Sequence, residues 1–450
     1  MTTLFNPGQP IWSASAPGRM DVMGGIADYS GSLLLQMPVA EQTRVRIQLR
    51  RDGQFILHTQ AGREPRLHYQ IGVDRLRGLD ERQAGERIRE QPGGDWASYV
   101  IGCFVVLSLE GKLSLTGATV AIRSAVPWGK GVSSSAAVEV AVLAALNKGM
   151  GLQLGNTELP LLAQRVENRV VGAPCGLMDQ LSSYLGQKGR LLPLVCQPHR
   201  VLEPVPLAAR IGFCGIDSGV RHAVSGASYQ QVRTAAFLAY GLIARAEGVS
   251  DGELRLASRT GDWTRLPYGG YLSNIPVSVF ERKYSSLIPD SLTGRACRDQ
   301  GLVCIDPVSR IEPDTNYRLL ACSRHPVQEN FRVQQFLQGL QQLRRKPDTA
   351  ASLVLLGELM LQSHAGYSSV GLGNYYTDLL VDRVMSRGPA AGLFGARVSG
   401  GGSGGTVCIL YQGRDGKATA REIHREFEIE TGKKTCFFSG SSQGAYFLNA

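Results

Sequence analysis

A glycine- and serine-rich stretch over residues 127–137 carries the residue types that bind phosphate groups. It reads Pro-Trp-Gly-Lys-Gly-Val-Ser-Ser-Ser-Ala-Ala. Alternating apolar and polar residues over 118–123 predict a strand before it, and the apolar run over 136–147 predicts a buried helix after it. The three serines can cap the free N–H groups at the helix start. The same groups, with the positive end of the helix dipole, also suit a phosphate. The stretch alone leaves both interpretations open, a phosphate-binding loop and an ordinary capped helix.

Phosphoryl transfer needs more than a phosphate cradle: oxygen ligands for Mg²⁺, a positive charge on the transferred group and a carboxylate near the acceptor hydroxyl. The chain has no Walker sequence pattern, but it offers one candidate for each of these needs. Ser134 or Ser135 with Glu167 would hold Mg²⁺, Arg19 would neutralise developing charge, and Asp179 would orient or deprotonate the hydroxyl. The spacing of these residues along the sequence does not by itself show that their side chains meet in the folded protein.

Simpler interpretations exist for some of these residues. Arg19 and Asp28 lie in a glycine-rich segment. The simpler interpretation of each is that it forms a surface ion pair, which contributes little to stability. Asp179 follows a loop and can be the N-cap of a short helix. A formal G-x-G-x-x-G pattern at Gly400, Gly402 and Gly405 suggests dinucleotide binding, which requires a helix directly after it. Because the residues that follow over 406–411 predict a strand, we reject that interpretation.

Composition narrows the class of protein. The 450 residues are too many for one core, so we expect two or three domains. The net charge of +10 favours anionic ligands, but scattered basic residues without interleaved aromatics argue against a nucleic-acid partner. Nine dispersed cysteines predict reduced thiols in a cytoplasmic protein, and the seven dispersed histidines predict no zinc site. With no long apolar run, we expect no membrane span.

Periodicity supplies the elements that must position the candidates. We expect helices over 96–109, capped by Asp95, and over 159–171, 229–247, 329–343, 349–363 and 417–431. We expect strands over 191–195, 210–217, 317–323, 395–399, 406–411, 435–439 and 445–448. Strands and helices are mixed in both halves, which predicts an α+β protein.

Three segments resemble the three motifs of the GHMP small-molecule kinases: residues 17–31, 129–137 and 395–405. The chain is also similar to the galactokinase branch of that family, whose Cys-Gly-x-Met-Asp-Gln element stands here at 175–180 as Cys-Gly-Leu-Met-Asp-Gln. The resemblance implies an α+β, two-domain fold. Its ribosomal protein S5-like N-terminal domain would span 1–210 and its ferredoxin-like C-terminal domain 211–450.

The resemblance also implies roles for individual residues. Asp179 and Arg19 match the catalytic pair, and Ser135, with Ser134 as an alternative, and Glu167 match magnesium ligands. Residues expected to contact the sugar are Gly25, Ile26, Asp28, Gly176 and Tyr229, and those expected to contact ATP are Trp96, beside the adenine, and Lys130, Gly131, Ser133, Ser134 and Ser135. The implied cofactors are ATP and Mg²⁺, and a monomer and a dimer are both compatible with the sequence.

Gly25 and Ile26 depart from the galactokinase pattern, which has Glu-His at these positions to hold the hydroxymethyl group at C6 of the sugar. Glycine and isoleucine offer no side-chain hydrogen bond, and leaving a buried polar group of the substrate unpaired costs a few kcal/mol. L-Arabinose has the ring hydroxyls of galactose and lacks C6, and residues 24–38 resemble the kinase domain of plant-type L-arabinokinases. We therefore expect an ATP-dependent L-arabinose 1-kinase.

Two alternatives remain at this stage, a galactokinase and a catalytically inactive sugar sensor. The plant enzymes carry an additional N-terminal region, and because this sequence starts close to the first motif we expect a stand-alone kinase. We also expect the exchange Gly25→Glu with Ile26→His to shift preference toward galactose.

Overall fold

The computed structural model describes residues 4–61, 67–173, 175–220, 227–345 and 350–448. The chain forms two compact units, each built from separate stretches of sequence. The first contains the residues up to Met20, Gln36–Leu192 and those from Phe438 onward, and the second contains Asp21–Leu35 and Pro193–Phe437. The domain boundary after Arg210 stays a prediction, since a single cut cannot represent a first unit of three stretches and a second unit of two.

The strands in the described ranges are β1 (Trp12–Met23), β2 (Leu33–Arg50), β3 (Gln54–Ala61), β4 (Leu67–Gly72), β5 (Gly117–Ser124), β6 (Arg190–Cys196), β7 (His199–Val201), β8 (Val205–Pro206), β9 (Ile211–Asp217), β10 (Leu292–Thr293), β11 (Asn316–Tyr317), β12 (Leu393–Val398), β13 (Thr406–Gln412), β14 (Phe437–Ser439) and β15 (Tyr446–Leu448).

The α-helices of the same ranges are α1 (Glu81–Arg89), α2 (Gly94–Leu109), α3 (Ser134–Met150), α4 (Glu158–Arg165), α5 (Met178–Leu185), α6 (Ala227–Ala246), α7 (Asp251–Thr260), α8 (Val277–Val279), α9 (Gly294–Asp299), α10 (Leu319–Arg345), α11 (Ala350–Val370), α12 (Tyr375–Arg387) and α13 (Gly413–Thr431). A π-helical turn, Val166–Val171, follows α4, and a 3₁₀ turn, Gly25–Ser30, follows β1.

The first unit is built on a sheet with the strand order β15-β1-β2-β5-β3-β4. Strand β5 pairs antiparallel with β2, where Val45 faces Ile122, and parallel with β3. The apolar residues of β5 alternate with polar ones, as the sequence predicted, so one face of the strand joins the core. Helices α2 and α3 are apolar along most of their length and are buried in the same core.

The second unit contains a four-stranded sheet with the order β12-β13-β9-β14. Strand β13 pairs antiparallel with both β9 and β12. Helix α11 crosses β12 at two glycines: a Cβ on Gly357 would lie 1.7 Å from the carbonyl oxygen of Phe394, and one on Gly395 would lie 2.4 Å from the Cα of Gly357. This contact lets the backbones of helix and strand touch, and a larger residue at either position would separate them.

Most predicted elements are present, with two corrections. The strand expected over 317–323 is wrong, because β11 ends at Tyr317 and the long helix α10 begins at Leu319. Asp95 does not cap α2, which begins one residue earlier with Gly93 as its N-cap. The loop before β13 leads into a strand, which agrees with rejecting a dinucleotide fold. None of the helices in the described ranges combines the length and apolar character that crossing a bilayer requires.

Candidate active site

The glycine- and serine-rich stretch over residues 127–137, called the serine loop from here on, leads into α3 through a turn with positive φ angles. Gly129 and Gly131 have φ angles of 69° and 72°, and Ser133, the N-cap residue, has a φ of 57°. The side chain of Ser133 makes no capping hydrogen bond to the first turn of α3. The expectation that this serine caps the helix is therefore wrong, and the N–H groups of the first turn remain available to an anion at the positive end of the helix dipole.

Asp179 is held by two side chains in the first unit. The Arg19 Nε donates to Asp179 Oδ1 at 2.9 Å, and an Arg19 Nη2 lies 2.8 Å from the same oxygen. The Ser133 hydroxyl donates to Asp179 Oδ2 at 2.5 Å. Arg19 also donates to the carbonyl oxygen of Gly131 at 2.7 Å, so the guanidinium connects the serine loop with the carboxylate.

The positions of these three residues exclude the simpler interpretations. Asp179 lies inside α5, whose N-cap is Leu177, so Asp179 is not a cap. Arg19 is buried, with its ion-pair partner on α5, so it is not half of a surface ion pair. The Arg19 side chain is 5% exposed and that of Asp179 is 22% exposed, so the carboxylate is the more accessible partner of the pair.

Glu167 lies in the π-helical turn and is buried. Its carboxylate accepts a hydrogen bond from Gln180 Nε2, at 2.8 Å to Oε2, and Ser135 lies near enough to act on its pKa in the lowering direction. The Cys175 thiol donates to the same oxygen at 3.5 Å. Burial, together with the nearby charge of Asp179, raises the pKa of Glu167 to about 7. A bound cation would reverse this effect, because it favours the charged carboxylate.

Glu139 is a residue that the sequence analysis missed. It lies on α3 and is fully buried, and burial and the charge of Glu167 raise its pKa well above the usual range. Gln180 Nε2 lies 3.4 Å from Glu139 Oε2, while Glu139 Oε1 has no hydrogen-bond partner in the described part of the chain. One carboxylate inside an otherwise apolar helix was a signal in the sequence that something polar lies beside α3.

These oxygen donors fit magnesium. The ion prefers oxygen ligands and is usually held by one or two carboxylates together with substrate phosphates. Ser135 and Glu167 supply a hydroxyl and a carboxylate near one another, and Glu139 adds a buried carboxyl oxygen that has no hydrogen-bond partner in the described part of the chain. Among the residues that the structure describes, no three His, Cys, Asp or Glu side chains converge as a complete metal site, so phosphate oxygens or water would complete the ligand set.

Asp28 and Tyr229, two of the expected sugar contacts, meet in the second unit. The Tyr229 hydroxyl donates to Asp28 Oδ1 at 2.9 Å, and Asp28 is buried in the turn Gly25–Ser30. One helical turn along α6 from Tyr229, Arg233 forms a bidentate ion pair with Asp306, with both N–O distances 2.8 Å. Buried ionic groups of this kind hold α6 in one position relative to the segment that carries Asp306.

Gly25 and Ile26 are also buried in the second unit. The Ile26 N–H donates to the hydroxyl of Tyr367 at 3.0 Å. Beside them, Arg397 and Asp21 form a fully buried ion pair with an N–O distance of 2.7 Å. At the two positions where the sequence analysis notes a departure from the galactokinase pattern, the structure thus has a buried glycine and a buried isoleucine beside the Tyr367 hydroxyl.

The remaining candidates are placed without a ligand contact that would test them. Trp96 is 6% exposed and packs edge-on against Tyr69, with 6.5 Å between ring centroids. Lys130 and Gly176 are half-buried in the first unit. The structure brings Arg19, Ser133 and Asp179 together, as it does Ser135 with Glu167 and Asp28 with Tyr229.

Comparison with known proteins gives consistent matches. The chain matches the GHMP kinases N terminal domain over residues 98–187 and the GHMP kinases C terminal domain over 348–430. L-arabinokinase of Arabidopsis thaliana is 36% identical over 98% of this chain and 47% of its own length, so the chain spans about half of that protein. Galactokinase of Chloroflexus aurantiacus is 30% identical, over 94% of this chain and 90% of its own. The crystal structure of Lactococcus lactis galactokinase complexed with galactose has a TM-score of 0.74 at 20% identity, over 99% of this chain and 97% of that chain.

Proposed function

The chain belongs to the GHMP kinase family, among its sugar kinases, and we propose that it transfers the γ-phosphoryl group of ATP to the anomeric hydroxyl of L-arabinose. The α+β, two-domain fold expected for the family is confirmed. The proposal concerns the sugar, the cofactors and the residue roles. The observation that carries the chemistry is the carboxylate of Asp179, fixed by Arg19 on one oxygen and by Ser133 on the other.

The phosphates of ATP would lie at the start of α3, where the serine loop presents N–H groups. Asp179 would orient the C1 hydroxyl of the sugar and accept its proton as the new O–P bond forms and the bond to the leaving ADP oxygen breaks. Arg19, already fixed by Asp179 and Gly131, supplies positive charge at the same point without reorganising.

Ser135 and Glu167 would hold Mg²⁺. The amide of Gln180 contacts the carboxyl groups of both Glu167 and Glu139. When bound, the ion neutralises charge on the phosphate oxygens. Gln180 contributes by fixing the carboxylate of Glu167 through its amide N–H. Trp96 and Lys130 remain proposed ATP contacts, and Gly176 a proposed sugar contact.

The choice of sugar rests on Gly25 and Ile26. Neither side chain offers a hydrogen bond to a hydroxymethyl group, and both residues are buried. An aldopentose such as L-arabinose leaves no polar group unpaired at this position, whereas D-galactose would bury one. The similarity to an L-arabinokinase supports this assignment, and the similarity to galactokinases supports the main alternative, phosphorylation of D-galactose.

Steady-state kinetics with purified protein test the proposal. We expect a higher kcat/KM for L-arabinose than for D-galactose, with sugar 1-phosphate as the product. A higher kcat/KM for D-galactose would instead establish a galactokinase. Binding of both ATP and sugar without turnover would establish a sensor.

A further inference from the structure

We propose that Tyr367 is a specificity-determining residue that closes the pocket beside Gly25 against any sugar with an exocyclic carbon. The inference rests on the proposed function in one respect, namely that the turn Gly25–Ser30 faces the sugar. Its physical basis is that the hydroxyl of Tyr367 occupies the space into which a side chain at position 25 would project.

The space at position 25 is filled. A Cβ built on Gly25 would lie 1.7 Å from the Tyr367 hydroxyl oxygen, 2.8 Å from Asp21 Oδ2 and 2.9 Å from Arg397 Nη2. Gly25 also has a φ of 43°, in the left-handed region that other residues rarely adopt. No side chain can therefore be added at this position unless the tyrosine moves.

The tyrosine is not free to move. Its hydroxyl accepts a hydrogen bond from the Ile26 N–H at 3.0 Å and donates one to the carbonyl oxygen of Gly400 at 2.6 Å. The Arg397 Cζ lies over its ring, 5.2 Å from the ring centroid. The ring also packs edge-on against His325, with 5.8 Å between the two ring centroids. A fully buried hydroxyl with both neighbours satisfied is expensive to displace.

The buried charge of Arg397 links the glycine at position 25 with the tyrosine at position 367. Arg397 is fully buried and pairs with Asp21, while its Nε and Nη2 have no hydrogen-bond partner within the described ranges. A glutamate at position 25 would bring a carboxylate beside Nη2, provided that residue 367 were smaller. The exchange Gly25→Glu with Ile26→His is therefore expected to destabilise this chain rather than to convert it, because Tyr367 remains in place.

The experiment measures both stability and sugar preference. The first set of variants consists of Gly25→Ala, Tyr367→Phe and the double variant. We expect Gly25→Ala to lower Tm much less in the Tyr367→Phe background, where the hydroxyl is absent, than in the wild type. The strain of alanine at a positive φ is the same in both backgrounds, so the coupling reports the collision alone. Independent effects on Tm would overturn the space-filling role, whichever sugar the enzyme uses.

In the second set, Tyr367→Leu is compared with Tyr317→Leu, a control at a buried tyrosine whose hydroxyl accepts from the Glu312 N–H. We expect Tyr367→Leu to raise the galactose-to-arabinose ratio of kcat/KM by about 10-fold or more, and adding Gly25→Glu to raise it further. We expect the control to lower Tm without changing the ratio. An unchanged ratio in folded Tyr367→Leu and Tyr367→Phe would overturn the specificity role. A wild-type preference for D-galactose would overturn the proposed substrate together with the specificity role, whereas an unchanged ratio in variants of an enzyme that prefers L-arabinose would overturn the specificity role alone.

Discussion

The hydroxyl of Ser133 donates its hydrogen bond to Oδ2 of Asp179 at 2.5 Å, although Ser133 is the N-cap residue of α3. A serine at this position usually binds an N–H of its own helix. Here the loop keeps the helix start open for an anion and fixes the orientation of the carboxylate at the same time. Ser133 thus connects the proposed phosphate site with the proposed catalytic carboxylate of Asp179.

Asp179→Asn removes the charge of that carboxylate while keeping its shape. We expect kcat to fall by about 10²–10⁴-fold, the range of general base catalysis, because an amide neither accepts the proton nor pairs with Arg19. The KM for ATP is expected to change little, since the phosphates bind at α3. Steady-state kinetics with ATP and sugar varied separately measure both, and an unchanged kcat would contradict the assigned role.

Glu167→Gln replaces the proposed metal carboxylate with a neutral amide of the same size. We expect the Mg²⁺ concentration for half-maximal activity to rise by about 10-fold or more, because ligands of a metal site typically contribute this much. Titration of activity with Mg²⁺ at fixed ATP measures it. Glu86→Gln, at an exposed surface ion pair with Arg82, is the matched control. The same Mg²⁺ requirement in both variants would remove Glu167 from the metal site.

Asp306→Ala breaks the buried ion pair with Arg233 and leaves a guanidinium without its partner. Breaking such a pair costs about 3–5 kcal/mol, which denaturant unfolding can measure. Because Tyr229 lies one helical turn before Arg233, we also expect a higher KM for the sugar with a smaller effect on the KM for ATP. A stability loss without any change in sugar KM would mean that the pair has no role in positioning Tyr229.

His325 makes the stability of the second unit depend on pH. It is buried with no partner for either ring nitrogen among the described residues, and burial lowers its pKa from 6.5 to about 4. Glu329 opposes that shift, and Arg332 and Arg397 add to it. Between pH 6.5 and 4 the unfolded chain binds a proton that the folded chain does not, so stability falls as pH falls, by about 3 kcal/mol in total.

The substitution His325→Leu tests this dependence. We expect the variant to lose less stability than the wild type between pH 7 and 4, because its unfolded state no longer gains that proton. Unfolding midpoints at a series of pH values measure the difference between the two proteins, in which the contributions of other titrating groups cancel. Parallel pH profiles would contradict the assignment.

The sequence predicted the elements with strong periodicity and the residues with strong motifs. Strand β5, helix α3 and the serine loop between them are present as expected, since each is determined by local pattern. The short apolar run at 317–323 was assigned to a strand because a few apolar residues fit a strand and a buried helix equally well. Only packing in the second unit decides that Leu319 begins a helix.

The site was predictable to the extent that its chemistry is carried by residue type. Arg19 and Asp179 were candidates because charge in a glycine-rich or loop setting is unusual, and Glu167 was a candidate because a magnesium ion needs a carboxylate ligand. Tyr367 was not, because a tyrosine within a helix carries no distinguishing sequence pattern. Its role depends on the Gly25 backbone 342 positions away in sequence, and a missing Cβ is visible only in three dimensions.

The division of the chain into interleaved units constrains how the protein can be made. Strand β15, at Tyr446–Leu448, completes the edge of the first unit's sheet beside β1, where Ser13 pairs with Leu448. During synthesis the ribosome therefore releases the last strand of the first unit only after it has produced the whole of the second. A fragment that ends before residue 446 would lack β15 and would leave β1 as the edge strand of the first unit's sheet.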